Sequence, residues 1–296
     1  DAGDNFSGGG APFYYNFVDT TSAHLYPRLA AYMGYDAVVA GHSDFEAGHR
    51  VYDRVAREMR KAGVPFLAGN AVSERTGKGY LPAYSIVRKG GVKVAVLGYT
   101  NAANASLMDA SCVSGISFKS LLPLVQEDVD KVRSKEKPQV VIVVAHTSMG
   151  KGDGQNLERQ GLDLFNSLKG VDVLVTGHDH STKVLKTDST VLLDCGRAGQ
   201  YACLADINLV VRGGKVISRS LSGEVESFGS ENYDTAMEEA FKSDYEKVRD
   251  FNTSHVGEVK KDLVSREFYY RQCDYMNFLH ALAFSHALDG GHDGEL

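Results

Sequence analysis

Side chains that can bind metal ions or transfer protons follow short apolar runs at three places in the sequence. These side chains are His42, His146, His178 and His180. Asp4, in a Gly-Asp-Asn triplet, is a fourth feature of the same kind. The runs before the histidines are strand-sized, at residues 37–40, 140–145 and 171–176. Loops that follow the strands of an α/β sheet gather at one edge, so we expect these side chains to lie close together.

One carboxylate and four imidazoles form a mixed oxygen and nitrogen donor set, which suits Zn, Mn or Fe rather than Ca or Mg alone. Two such ions a few ångströms apart can clamp an in-line phosphoryl displacement. Each motif also has a structural interpretation by itself, since an Asp beside Gly is common in turns. A purely structural domain would need all five ligand-type residues to occupy these positions by coincidence.

The elements that must position these residues follow an alternating pattern. Apolar runs predict strands and amphipathic stretches predict helices over the first two hundred residues, which is the βαβ alternation of an α/β protein. The predicted strands lie at 37–40, 64–68, 92–98, 140–145 and 171–176, and the predicted helices at 50–59, 121–134 and 162–168. Consecutive strands then follow at 191–194, 203–211 and 215–221, with Gly213-Gly214 as a hairpin turn. Two more helices are predicted, over 233–252 and 274–288.

Composition excludes some classes of function. Apolar residues make up 43% of the 296 residues, enough for a sizeable core, and the net charge of -6 argues against binding to a nucleic-acid backbone. No apolar run approaches the ~20 residues of a membrane span. Cys195 and Cys203 lie near adjacent predicted strands, where they could form a disulfide or remain a reduced pair. The redox compartment therefore stays open.

The order of the motifs resembles that of the calcineurin-like metallophosphoesterases, in the branch of 5'-nucleotidases and UDP-sugar hydrolases. GYDAVVAGHSDFEAG, at residues 34–48, is similar to the family's GYDA-x-x-x-GNHEFD-x-G. The resemblance implies a four-layer α/β/β/α sandwich over residues 1–225. It implies a linker helix within 226–262, and 263–296 resembles the opening of a second domain that holds the nucleoside base in this branch.

The resemblance also implies a set of metal ligands. Asp4 matches the carboxylate that bridges two metal ions, His146 and His178 match ligands of one ion, and His180 matches a ligand of the other. Two divalent ions (Zn, Mn or Fe) are thus expected in the intact protein, and one or none in this segment. The remaining ligands are expected from a D-x-H motif on a strand upstream of Asp1.

One departure from the family is chemical, because His42-Ser43 replaces the family's Asn-His. His42 takes the position of an amide that binds metal, and Ser43 takes that of a histidine that assists the leaving group. A serine cannot carry positive charge near pH 7. A one-residue backbone shift that returns His42 to the catalytic position is the alternative. His42 and Ser43 are therefore the predicted catalytic residues, and no substrate-binding residue is predicted.

The implied function is metal-dependent hydrolysis of nucleotides or related phosphomonoesters or diesters, weakened by Ser43. The alternative is a degenerate member that binds a metal, a phosphate or a partner without turnover. The implied partner is a small-molecule phosphoester, with no nucleic acid and no membrane span in this segment. The family also implies export to the periplasm or cell surface, and it leaves the oligomeric state open.

Overall fold

A computed structural model describes residues 1–229 and 233–289, with the side chains of 288 and 289 excepted. The chain divides into two compact units, Asp1–Phe251 and Asn252–Leu296. The domain boundaries expected from the family, at 225 and 262, stay predictions.

The first unit is built on a six-stranded sheet. Its strands are β4 (Tyr84–Lys89), β5 (Val92–Tyr99), β7 (Val140–Ala145), β8 (Val173–Thr176), β9 (Thr182–Lys186) and β10 (Val191–Cys195). They are ordered β4-β5-β7-β8-β10-β9. The four central strands are parallel, and the two edge strands pair antiparallel to their neighbours. The central strands are those predicted from the apolar runs; the edge strands were not predicted.

Three two-stranded pairs accompany this sheet. They are β1 (Val38–Val39) with β2 (Phe66–Leu67), β3 (Ala71–Ser73) with β6 (Ile116–Phe118), and β11 (Tyr201–Arg212) with β12 (Lys215–Ser227). The predicted turn between β11 and β12 is confirmed. Gly213 and Gly214 both have positive φ, at 56° and 76°. Two consecutive residues of positive φ suit the right-handed twist of a tight hairpin.

The helices of the described residues include all five that were predicted. They are α1 (Gly10–Phe13), α2 (Leu25–Tyr32), α3 (His42–Glu46), α4 (His49–Ala62), α5 (Asn104–Leu107), α6 (Leu121–Glu136), α7 (Gly161–Ser167), α8 (Thr235–Asn252) and α9 (Asp274–Asp289). A π-helical turn at Tyr14–Val18 and a 3₁₀ turn at Ala110–Val113 complete the set. None of the described helices combines the length and the apolar character that a membrane span requires.

Strand alternation shows how the layers form. Ala95 and Leu97 of β5 belong to the core beneath α6, whereas Val94 and Val96 belong to the core shared with the β1–β2 pair. Successive side chains of a strand point to opposite faces, so the large sheet buries both of its faces. A helix layer covers one face and a second strand layer covers the other.

The same alternation continues through the β1–β2 pair. Val39 and Leu67 face the large sheet, whereas Val38 and Phe66 face α4, where Val55 is fully buried. Helix α4 has a strongly apolar stripe, and its charged residues lie on the other side. The order of layers is therefore α/β/β/α. The predicted α/β class and four-layer arrangement are confirmed.

The β11–β12 hairpin extends the second strand layer over the far end of the sheet. Cys203 and Ile207 pack against Val173, Val191 and Leu193. A disulfide between Cys195 and Cys203, whose Cα atoms are 5.4 Å apart, fastens β10 to the hairpin. Of the two states left open by the sequence, the structure has the disulfide.

Helix α8 is fastened to the rest of the first unit by a buried carboxylate. Asp244 accepts hydrogen bonds from the Arg28 guanidinium at 2.7 and 2.8 Å and one from the Tyr15 hydroxyl. Phe241 lies beneath the Arg28 guanidinium, 5.4 Å from its central carbon. Asp244 is 6% exposed, so the bidentate pair anchors the helix.

This anchor predicts a pH-dependent contribution to stability. Burial raises the pKa of Asp244, but the hydrogen bonds from Arg28 and Tyr15 outweigh it and hold the pKa below its usual value. The contribution is therefore present above the unfolded pKa of about 3.9 and is lost as the pH falls through the folded pKa. We expect Asp244→Asn to lower the free energy of unfolding at pH 7 by about 1–2 kcal/mol, because Arg28 is partly exposed. The difference should shrink below about pH 4.

Urea unfolding of the protein and the variant at pH 7 and at pH 3.5 measures this effect. Asp250→Asn, which removes an exposed carboxylate that pairs with its neighbour Arg249, is the matched control. Equal stability of the protein and Asp244→Asn at pH 7 would contradict the prediction.

The second unit contains α9 within the part that the structure describes. Lys261 Nζ donates to Asp274 Oδ2 at 2.6 Å, at the first residue of α9. A carboxylate is favourable in the first turn of a helix. Tyr269 and Tyr270, just before this helix, are 79% and 88% exposed.

Candidate metal centre

Four of the five predicted ligands converge. Asp4, His42, His146 and His178 each offer one ligand atom, and these atoms all lie within 4.8 Å of one another. The three histidines follow β1, β7 and β8, as expected for loops at the carboxyl ends of strands. The Asp1–Asp4 segment runs beside β1, where the Val39 amide donates to the Asp1 carbonyl at 3.1 Å. We call these four residues the metal-ligand group.

The central atom of the group is Asp4 Oδ2. His42 Nδ1 lies 3.1 Å from it and His146 Nε2 lies 3.2 Å from it. The two ring nitrogens are themselves 3.1 Å apart. Two imidazole nitrogens and one carboxylate oxygen therefore surround one small space. Ligands are arranged in this way around a cation.

The hydrogen bond between His146 and the backbone leaves the Nε2 atom of the ring available to bind a cation. Its Nδ1 lies 2.7 Å from the Ala2 carbonyl oxygen, which can only accept, so Nδ1 carries a hydrogen. The lone pair of a neutral ring is then on Nε2, facing Asp4. Burial lowers the pKa of His146, but the hydrogen bond and negative charge of Asp4 outweigh this and raise it. A cation bound to Nε2 would take the place of the proton that this atom carries in the charged ring.

His178 is oriented in the same way by Glu158. Its Nε2 lies 3.0 Å from Glu158 Oε1, so Nε2 carries the hydrogen that the carboxylate accepts. Nδ1 is buried and has no hydrogen-bond partner among the described residues. In many metal sites a carboxylate outside the ligand shell accepts a hydrogen bond from one nitrogen of a histidine, and the other nitrogen of that histidine binds the metal. The backbone of His178 has φ 92°, a strained conformation of the kind found at functional sites.

Asp4 is held ionised by its neighbours. Burial raises the pKa of Asp4, but hydrogen bonds from His146 and His42 and their positive charge bring it far below its usual value. Its Oδ1 accepts from the Ser43 amide at 2.9 Å, which leaves Oδ2 for the histidines. Asp4 has φ 63°, in the left-handed region that Asp and Asn tolerate better than most residues.

Asp44 organises the loops that carry the group, and the sequence did not predict this role. Its Oδ2 accepts from the amides of Gly41 and Asp4 at 2.8 and 3.0 Å, and its Oδ1 from those of Asn5 and Phe6 at 2.8 and 3.1 Å. Asp44 is fully buried. The available signal was its place three residues after Gly41, where an acidic residue reaches back to the amide before a helix.

Glycine is required at position 41 because the loop after β1 and the segment that carries Asp4 approach each other closely. A Cβ atom at Gly41 would overlap the Asp4 carboxylate and amide. Any side chain at this position would push Asp4 away from the histidines.

The structure leaves His180 outside the metal-ligand group. It is exposed and has φ 57°. Its ring nitrogens are not among the ligand atoms that converge in that group, and its expected role toward a second ion stays a prediction. The structure places Ser43 beside the group, since its amide bonds Asp4, and the Ser43 residue lines a depression of about 350 Å³.

A larger cavity of about 750 Å³ is also lined by His178. It carries three basic and three acidic side chains, which are those of Lys151, Arg159, Lys183, Asp153, Glu158 and Asp179. The charges balance, so the cavity indicates no net preference for an anion.

The metal-ligand group fits a divalent transition metal. It provides one carboxylate and three imidazoles, with two of the rings turned by outer hydrogen bonds so that an unprotonated nitrogen is available. Such a donor set suits Zn, Mn or Fe.

No protein-family model matches the chain. Over 149 residues the chain is 27% identical to a 5'-nucleotidase of Vibrio cholerae, an alignment that covers 49% of the chain and 26% of that protein. The chain thus spans about a quarter of the length of the curated relatives it matches.

Two solved structures share the fold. The calcineurin-like phosphoesterase YfkN of Bacillus subtilis matches with a TM-score of 0.73 at 19% identity, over 86% of this chain and 84% of that one. A putative 5'-nucleotidase of Staphylococcus aureus matches with a TM-score of 0.75 at 16% identity, over 94% of this chain and 54% of that one. The sequence relatives and the shared fold confirm the resemblance: the chain is similar in sequence to 5'-nucleotidases and has the fold of a calcineurin-like phosphoesterase.

Proposed function

We propose that the chain is the metal-binding part of a hydrolase that acts on nucleotides or related phosphomonoesters or diesters. The observation that carries this proposal is the convergence of Asp4, His42, His146 and His178 within 4.8 Å. The branch to which the chain is similar includes proteins named 5'-nucleotidases, which supports a nucleotide as the substrate.

The metal ions, when bound, supply a nucleophile from water near neutral pH and compensate the charge of the phosphoryl group. The chain's own residues hold and orient them. Asp4 presents one oxygen to His42 and His146 and keeps the other on the Ser43 amide. His178 is fixed by Glu158. These contacts fix the geometry of the site before a substrate arrives. Such preorganisation supplies most of the rate enhancement of sites of this kind.

Ser43 is the proposed partner of the phosphoryl oxygens or the leaving group. Its hydroxyl can donate one hydrogen bond, but it cannot become a cation as a histidine can. The position of His42 in the metal-ligand group supports its role as a ligand in place of the family's amide. It does not support the alternative in which His42 shifts to the catalytic position.

We propose two divalent ions for the intact protein. The metal-ligand group accounts for one. Asp4 and His180 are the residues of this chain proposed to hold the other. Zn, Mn and Fe all fit the donors that are present.

Metal loading and removal test this proposal. We expect the chain with Mn²⁺ or Zn²⁺ to bind the ion and to hydrolyse 4-nitrophenyl phosphate weakly, and we expect EDTA to abolish the hydrolysis reversibly. His42→Ala should lower ion affinity by about 10-fold or more, because it removes a ligand. His255→Ala, which removes an exposed histidine of the second unit, is the control. Hydrolysis that persists in EDTA, or equal ion affinity of His42→Ala and the protein, contradicts the proposal.

The second candidate function is binding without turnover. Ser43 favours it, because the group that would assist the leaving group is replaced by one that cannot carry charge. In this case ion binding and phosphate binding would be measurable while hydrolysis would be absent from the metal-loaded chain. The expectation that the chain does not bind nucleic acid stays a prediction from its net charge.

We also propose that the protein is exported to the periplasm or the cell surface. The disulfide between Cys195 and Cys203 supports this, since disulfides persist in oxidising compartments. Alkylation of the protein from its native source, before and after reduction, tests it. Free thiols at both positions before reduction would contradict it.

A further inference from the structure

A depression on the other side of Ser43 is walled by phenylalanine rings. It has a volume of about 350 Å³, and Phe6, Phe13, Phe17, Ser43 and Glu46 are among its lining residues. This volume lies at the lower end of the ~300–1,000 Å³ of small-molecule sites. Glu46 is the one ionisable side chain of the lining. The depression is therefore suited to an apolar group.

Two of the rings are exposed although they are large and apolar. Phe13 and Phe17 are 51% and 55% exposed, and their ring centroids are 5.4 Å apart. They come from α1 and the π-helical turn that follows it. Exposed apolar rings grouped around a concave surface indicate a binding site more often than scattered single residues do.

The walls are held in place without a ligand. Phe13 stacks on Phe251 of α8 at a centroid distance of 6.1 Å, and Phe6 is fully buried. Asn16, beneath the rings, donates to the Phe6 carbonyl at 2.8 Å and bonds the His24 ring at 2.9 Å. The surface is thus preformed, which reduces the entropic cost of binding.

The depression adjoins the metal-ligand group through one residue. Ser43 lines it, and the Ser43 amide donates to Asp4 Oδ1 at 2.9 Å. A histidine at this position would add an imidazole ring to the wall, whereas the short side chain of serine leaves the space open.

We propose that the depression holds a planar aromatic group on the leaving side of the phosphoester, in contact with Phe17. The proposal rests on the proposed function, because the metal-ligand group would place the phosphoryl group beside Ser43. The site lies within the first unit. Phe17 is its specificity-determining residue, since Phe13 also supports α8.

Calorimetric titration of the Mn²⁺-loaded chain with phenylphosphonate and with methylphosphonate tests the site without turnover. We expect phenylphosphonate to bind about 5- to 20-fold more tightly, because stacked rings add affinity beyond apolar contact. Phe17→Ala should bring the ratio of the two dissociation constants close to 1, and Phe17→Leu should leave an intermediate ratio. Phe228→Ala removes a phenylalanine that is 63% exposed and does not line the depression, so it should leave the ratio unchanged.

The outcomes separate this inference from the proposed function. Equal binding of the two phosphonates, or a preference that Phe17→Ala does not alter, overturns the ring site while the metal-anchored function stands. Failure of both phosphonates to bind the metal-loaded chain overturns the proposed function and the ring site with it. A phenyl preference that is lost in Phe17→Ala supports both.

Discussion

Replacing Asp4 by asparagine is expected to abolish metal-dependent hydrolysis, with a fall in rate of about 10³-fold or more. Asp4 provides the one carboxylate of the metal-ligand group, and its Oδ2 lies within 3.2 Å of two ring nitrogens. Without that charge, an ion between His42, His146 and His178 loses its anionic ligand and several kcal/mol of charge stabilisation. The affinity of the chain for Mn²⁺ or Zn²⁺ should fall in parallel.

Asparagine is the sharper substitution because of the backbone at this position. Asp4 has φ 63°, which asparagine tolerates and alanine does not, at a cost of about 1–2 kcal/mol for alanine. Its amide donates to Asp44, a contact that survives either change. Asp4→Asn therefore removes the charge with little disturbance of the loop, whereas Asp4→Ala combines loss of the ligand with backbone strain.

Ion affinity by calorimetry, hydrolysis of 4-nitrophenyl phosphate and thermal unfolding measure the three effects separately. Asp188→Asn, which removes an exposed carboxylate from the turn between β9 and β10, is the control for loss of charge. Asp4→Asn with unchanged ion affinity and unchanged hydrolysis would remove Asp4 from the ligand set.

The parts of the fold that the sequence predicts best are those with uninterrupted apolar runs. Residues 140–145 form β7 with the predicted bounds, since a strand buried on both faces is apolar throughout. The edge strand β9 was not predicted, because its side chains are largely exposed and show no apolar run. The predicted strand at 64–68 is reduced to Phe66–Leu67, where it pairs with the two residues of β1.

The metal-ligand group was predictable for a topological reason. His42, His146 and His178 each follow a parallel strand, and the carboxyl ends of such strands meet. Their outer partners were not predictable, because Glu158 lies 20 residues from His178 in a loop and meets it only in the folded chain. The same is true of the Ala2 carbonyl, which fixes the His146 ring. For His180 the sequence pattern predicted more than the structure shows. A His-X-His spacing directs both rings to one point only when the backbone is extended. His178 and His180 both have positive φ, so the backbone is not extended there.

Restoring the family pair, with His42→Asn and Ser43→His together, is expected to raise the rate of hydrolysis by about 10²–10⁴-fold. The asparagine amide oxygen can take the ligand position of His42, and an imidazole at position 43 can assist the leaving group and stabilise the phosphoryl charge. The depression beside Ser43 has room for the ring. The two single variants complete a double-mutant cycle, which separates the ligand exchange from the added acid.

The cycle decides between the two candidate functions through kcat and ion affinity measured on the same four proteins. Ser43→His alone keeps His42 as a ligand, so a gain in kcat at constant ion affinity assigns the deficit to the missing acid. The same gain should come with a weaker phenylphosphonate preference, because the new ring narrows the depression that the serine leaves open. A fall in rate for the double variant would instead mean that His42 and Ser43 are the working arrangement of this chain, with His42 needed as an imidazole ligand. If Ser43→His gives the expected gain, the side chain at position 43 sets both the rate of hydrolysis and the shape of the leaving group that the site accepts.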